Sequence, residues 1–169
     1  MNEVVSYIGK GAELMRYVAF ALWFFVVHAV TYYTAGAVNY QFSKKLYGGR
    51  DQLYKGFLRN MADPKEAAMV NLKIIPIQLF RAVLMSAILY PVVGTIAQLP
   101  FWGRALFMGG LMFVYADFCS AIPFSNTLEG LIYMKPEFVR KKVFWTIQME
   151  AVLYSVMFGT AAGWLLFRG

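Results

Sequence analysis

The sequence predicts an all-α, polytopic membrane protein, a four-helix bundle with an amphipathic helical segment in its first connection. Three observations carry this expectation. Of 169 residues, 60% are hydrophobic and 15% charged, where an ordinary soluble domain has about a quarter charged. Mean hydropathy is +0.53, and the apolar residues gather in four long runs instead of alternating. The runs and their connections also use nearly the whole chain, so residues 1–169 read as a single membrane domain with no room for a separate soluble catalytic domain.

Met1 to Glu13 reads as a short, mildly amphipathic segment at the interface. It lacks a basic start, a short apolar stretch and a small-residue cleavage site, so the first span is expected to act as an uncleaved insertion signal. That span runs from about Leu14 to Ala37. Trp23, Phe24 and Phe25 lie within it, and Tyr32 and Tyr33 near its second end, as suits a head-group belt.

The connection from Val38 to Lys73 is broken at Gly48-Gly49. Its stretch DQLYKGFLRNM sets Leu53, Phe57 and Leu58 among basic residues, the pattern of an interfacial amphipathic helix, with a solvated loop as the alternative. Asp63, Pro64 and Glu66 form a helix start: cap, first position and an acid three residues on. The second span, about Ile74 to Leu99, contains Pro76 and Pro91 and is expected to kink. A turn at Pro100–Gly103 leads to the third span, about Arg104 to Phe124, ended by Pro123. Ser125, Asn126 and Thr127 offer a cap, with Glu129 three residues after Asn126. The fourth span is about Val143 to Phe167.

Charge sets the expected orientation. The net charge is +7, and most lysines and arginines fall in two connections. The first holds Lys44, Lys45, Arg50, Lys55, Arg59, Lys65 and Lys73; the third holds Lys135, Arg140, Lys141 and Lys142. Lys10, Arg16, Arg104 and Arg168 lie on the opposite side. The excess places both connections in the cytoplasm and both termini outside it. Nucleic acid is not an expected partner, since no basic domain or recognition motif is present. Cys119 is the single cysteine and His28 the single histidine. A disulfide within the chain, a Cys/His zinc site and a bis-histidine haem pair are therefore excluded, and no cofactor is implied.

Away from its ends, each span carries one His, Arg, Asp or Glu: His28, Arg81, Asp117 and Glu150. At about 1.5 Å per helical residue, all four lie roughly 10–14 Å from the cytoplasmic boundary. Helical spacing sets Thr31 and Tyr32 beside His28, Gln78 beside Arg81, and Ser120 beside Asp117. Ionisable groups at this depth are costly and default to function. Asp117, Glu150 and His28 are the expected proton-handling, catalytic residues; Arg81, Gln78, Tyr32 and Ser120 are the expected ligand-binding ones. With a neutral histidine the two acids outnumber the one arginine, which calls for a proton or a cation. The structural alternative pairs Arg81 with Asp117 or Glu150 as an interhelical clasp. A metal site is not expected, because an arginine stands among the acids and no ExxH spacing occurs.

Ala151, Ser155, Gly159 and Gly163 form a small-residue face on the fourth span, and Gly109-Gly110 a lesser one on the third. Both point to close packing inside the bundle ahead of packing between copies. Three functions fit: a site near the cytoplasmic side that binds or transports a lipid-like or small polar ligand, proton-coupled through the acids; an intramembrane lipid or isoprenoid isomerase; or an accessory subunit of a membrane complex. The expected partners are membrane lipids, and further copies of the chain or the other subunits of such a complex.

Overall fold

Helix α1 runs unbroken from Asn2 to Tyr47, about 69 Å at 1.5 Å per residue. The structure is a computed structural model that describes residues 2–49, 52–56 and 58–167, with side chains from Glu13 onward. The expected interfacial segment before Glu13 is thus not separate: its backbone belongs to α1. Lys44 and Lys45 in the last turn suit the negative end of the helix dipole. Gly49, at φ +93°, takes the left-handed conformation that ends helices.

The described residues of the expected amphipathic segment between α1 and α2 form no helix, and Asp51 and Phe57 of that stretch lie outside the described residues. The described residues of 52–63 make turns. Apolar Tyr54 and Leu53 are better satisfied by packing than by lying at an interface. Tyr54 is fully buried and packs with Val143, Ile147, Phe124 and Phe138. Its hydroxyl shares a hydrogen bond with Ser125, and burial pushes the phenol above the usual tyrosine range, so it stays protonated. The first and third connections therefore meet over one end of the bundle.

Helix α2 spans Pro64–Leu89. Asp63 caps it by accepting from the Lys65 amide at 2.8 Å, and Glu66 reaches back to the Asn60 amide. Pro76 sits inside α2 without ending it. Pro91 converts the next turn to a 3-10 turn, Tyr90–Val92, before the short α3, Val93–Ala97. Helix α4, Phe101–Gly110, continues as π-helical turns over Leu111–Phe118. The Cys119 amide bonds the Val114 carbonyl at 2.8 Å, a five-residue step, and the helix stops there, before the expected end at Pro123. Thr127, not Asn126, caps the short α5, Leu128–Tyr133, by accepting from the Gly130 amide at 3.0 Å. Helix α6 is Lys141–Leu165. The described residues contain no strand.

Helix α6 packs against both α1 and α4, and α2 packs against α1. The crossing of α6 with α4 is set by small residues. A Cβ on Gly159 would collide with the Ala105 carbonyl, and one on Gly109 would come within 2.8 Å of the Ser155 carbonyl. The core at this end is apolar: Phe20, Phe24, Met108, Met112, Phe158 and Ala162 are buried together. Two helical stretches, Glu13–Tyr47 and Pro64–Ala97, are long and apolar enough to cross a membrane.

Gly159→Ala is expected to destabilise the protein by roughly 1–3 kcal/mol, as overpacking does. Gly110→Ala, where nothing lies within 4 Å, is expected to be neutral or stabilising by up to about 1 kcal/mol. Denaturant titration of both purified variants, followed by circular dichroism, checks the contrast.

Candidate functional site

The site begins at His28, which is fully buried on α1. Its Nε2 lies 2.8 Å from the Gln78 side-chain oxygen on α2, and its Nδ1 lies 2.7 Å from the Tyr154 hydroxyl on α6. An amide oxygen only accepts, so Nε2 donates. In the neutral ring Nδ1 then accepts the Tyr154 proton. Phe24 and Phe158 flank the ring at 6.4 and 6.2 Å between centroids. A single imidazole thus ties three helices together. Thr31, expected beside it, turns to its own helix and donates to the Val27 carbonyl at 2.7 Å.

Below this knot opens a cavity of about 320 Å³. Tyr32 and Tyr47 of α1, Arg81 of α2, Asp117 and Ser120 at the end of the π-helical turns, and Glu150 and Tyr154 of α6 line it. Five residues singled out by depth and spacing therefore share one chamber: Arg81, Asp117, Glu150, Tyr32 and Ser120. His28 and Gln78 stand behind its wall, connected through Tyr154.

Each acid is held by an amide. Asn126 donates to one Asp117 oxygen, and Asn39 donates to a Glu150 oxygen at 2.8 Å. The clasp of the structural alternative is not formed among the described residues. Among the described residues Arg81 makes neither an ion pair nor a hydrogen bond, and the ion pair present is Arg16–Glu13 at 3.6 Å. The acids already have neutral donors, which leaves the guanidinium free to face the cavity. Among the described residues no three histidine, cysteine or acidic side chains converge as a metal site would need.

A second chamber, about 530 Å³, lies between α1, the first connection and the start of α2. It shares Tyr32, Tyr47 and Glu150 with the first and adds Ser43 and Arg59. Glu150 therefore stands on the boundary of both. Asn39 Oδ1 and Ser43 Oγ are buried nearby with no hydrogen-bond partner among the described residues.

Sequence reasoning missed Asn39, Ser43, Asn126 and Tyr154. Asn39 and Ser43 continue the face of His28, Tyr32 and Ala35 at steps of three and four, a signal hidden by treating everything after Ala37 as a connection. Tyr154 lies four residues after Glu150, one turn away on the same face. Asn126 carried no such signal, since its bond to Asp117 depends on the chain turning back after the π-helical end.

Comparison with protein-family models, with curated proteins and with solved structures returns no match for this chain.

Tyr154→Phe and Gln78→Leu are each expected to cost roughly 1–3 kcal/mol, because each leaves one imidazole nitrogen buried without a partner. The double variant should cost less than the sum, since both losses act through His28. A double-mutant cycle from denaturant titrations measures this coupling.

Proposed function

We propose that the chain is a four-span integral membrane protein whose buried polar chamber, open to the cytoplasmic side, binds a lipid-like or small polar ligand. The observation that carries this reading is Arg81, a guanidinium that makes no ion pair or hydrogen bond among the described residues, in a cavity that also holds two carboxylates. A charged group inside a membrane protein needs a counterpart. Here the protein leaves that place to a ligand.

The four-span reading draws support from the exposed faces. Leu22 and Val30 on α1, Ile88 on α2, Leu106 on α4 and Val156 on α6 are large apolar side chains more than half exposed, as contact with lipid requires and contact with water does not. The basic residues of the two meeting connections favour a cytoplasmic location for that end and an extracytoplasmic one for both termini. A one-sided site is favoured over a channel. Beyond His28 the described residues Phe20, Phe24, Met108 and Phe158 form an apolar cluster between the helices, which favours a site open at one end. Asp117, Glu150 and the Tyr154–His28 pair supply groups that exchange protons, which keeps an isomerase within the same site. A purely structural subunit would need no such chamber.

The test is purification from the native membrane in mild detergent, followed by mass spectrometry of whatever accompanies the chain. A lipid-like or polar small molecule near one per chain, lost in Arg81→Gln, is the expected result. Stoichiometric companion proteins and no bound small molecule would overturn the reading in favour of an accessory subunit.

A further inference from the structure

An apolar groove adjoins the chamber. Helix α2 packs on α1, and the π-helical turns pack on α6. Between α2 and the π-helical turns runs a groove of about 360 Å³. Leu84, Met85 and Ile88 form one wall, and Leu111, Tyr115 and Ala116 the other. Ala116 lines both the groove and the chamber, and Leu84, Met85 and Ile88 continue the face of Arg81 at steps of three, four and seven. One helix face therefore carries a cation at its polar end and aliphatic side chains leading outward. Ile88 is 80% exposed and Tyr115 76%, which sets the outer end of the groove at the protein surface.

The charges of the chamber restrict what its occupant's head carries. With a neutral His28 and both acids ionised, Asp117 and Glu150 outweigh Arg81 by one negative charge, so an anion alone is disfavoured. Each carboxylate has one oxygen bonded to an asparagine amide and a second that makes no hydrogen bond among the described residues, so donors are wanted there. Arg81 wants an acceptor, and its planar fork suits phosphate or carboxylate. A primary ammonium joined to an anionic group meets both demands. A quaternary ammonium brings the charge without N–H donors, and a glycerol head brings no cation.

We propose that the site takes a membrane amphiphile whose head carries a primary ammonium and a phosphate, the head lying between Arg81 and the two acids and an acyl chain leaving through the α2/π-helix groove to the bilayer. The proposal rests on the ligand-binding reading above and names its substrate class and route of access. Phosphatidylethanolamine is the simplest such lipid.

The experiment is native mass spectrometry of the purified full chain in mild detergent. The probes are phosphatidylethanolamine, phosphatidylcholine, phosphatidylglycerol and the soluble head glycerophosphoethanolamine. Phosphatidylethanolamine is expected as a single adduct retained about tenfold better than the other lipids, a preference worth one good polar contact. Arg81→Gln should lower that retention about tenfold. Ile88→Trp and Leu84→Trp, both on exposed positions, should weaken the lipid adduct and leave binding of the soluble head unchanged. Circular dichroism melting confirms that the variants remain folded. Equal retention of the three lipids, or a preference for phosphatidylglycerol, overturns the head-group assignment. A soluble head that binds as tightly as the lipid, or groove variants without effect, overturns the route. Either of these with binding still dependent on Arg81 leaves the ligand site standing. No Arg81-dependent adduct with any probe sinks both readings together.

Discussion

The bond pair at His28 is the constraint on which the interior depends. Helices have strong reasons to pack by apolar area, but that force has no direction and does not fix rotation about the helix axis. A buried imidazole with two ring nitrogens does. It places Gln78 of α2 at 2.8 Å and Tyr154 of α6 at 2.7 Å, and so fixes the angular position of both helices relative to α1. Arg81 lies one turn from Gln78, and Glu150 one turn from Tyr154. Once the knot is tied, the guanidinium and the carboxylate are brought to the same chamber without touching each other.

The knot also divides the interior. On one side α4 and α6 approach so closely at Gly109 and Gly159 that no side chain separates their backbones. On the other side lies the chamber between α1, α2, the π-helical turns and α6, lined with hydroxyls, amides and acids. The chamber is kept open because Tyr54 and its aromatic neighbours brace the two connections against α6, and because each acid is held against the wall by an asparagine.

What could be read in advance was governed by how local the physics is. Helix class, the capping of α2 by Asp63, and the grouping of Arg81, Asp117 and Glu150 follow from hydropathy, spacing and depth along straight helices. The small-residue face of α6 likewise found its use against α4. The free state of Arg81 was not legible, because it depends on Asn39 and Asn126 reaching the acids first. Asn39 sits eleven residues beyond His28, in a part of α1 that the span boundaries assign to a connection. Tyr54 shows the same limit. Its stretch has the pattern of an interfacial helix, yet a buried slot formed by residues 70 and more positions away outweighs that local preference.

The π-helical turns carry a consequence of a different kind, in the arithmetic of chain length. A residue in an α-helix advances the side chain by about 100°. Turns closed by five-residue steps accommodate more residues per turn than α-helical ones, so Ala116 and Asp117 face directions that an α-helical continuation of α4 would not give them. The apolar half of α4 remains in register with the glycines of α6, while the final turn is rotated towards the chamber. Seen this way the segment acts as a phase shifter. It lets one continuous helix obey the packing periodicity of a tight crossing at its start and present its acid to an open space at its end.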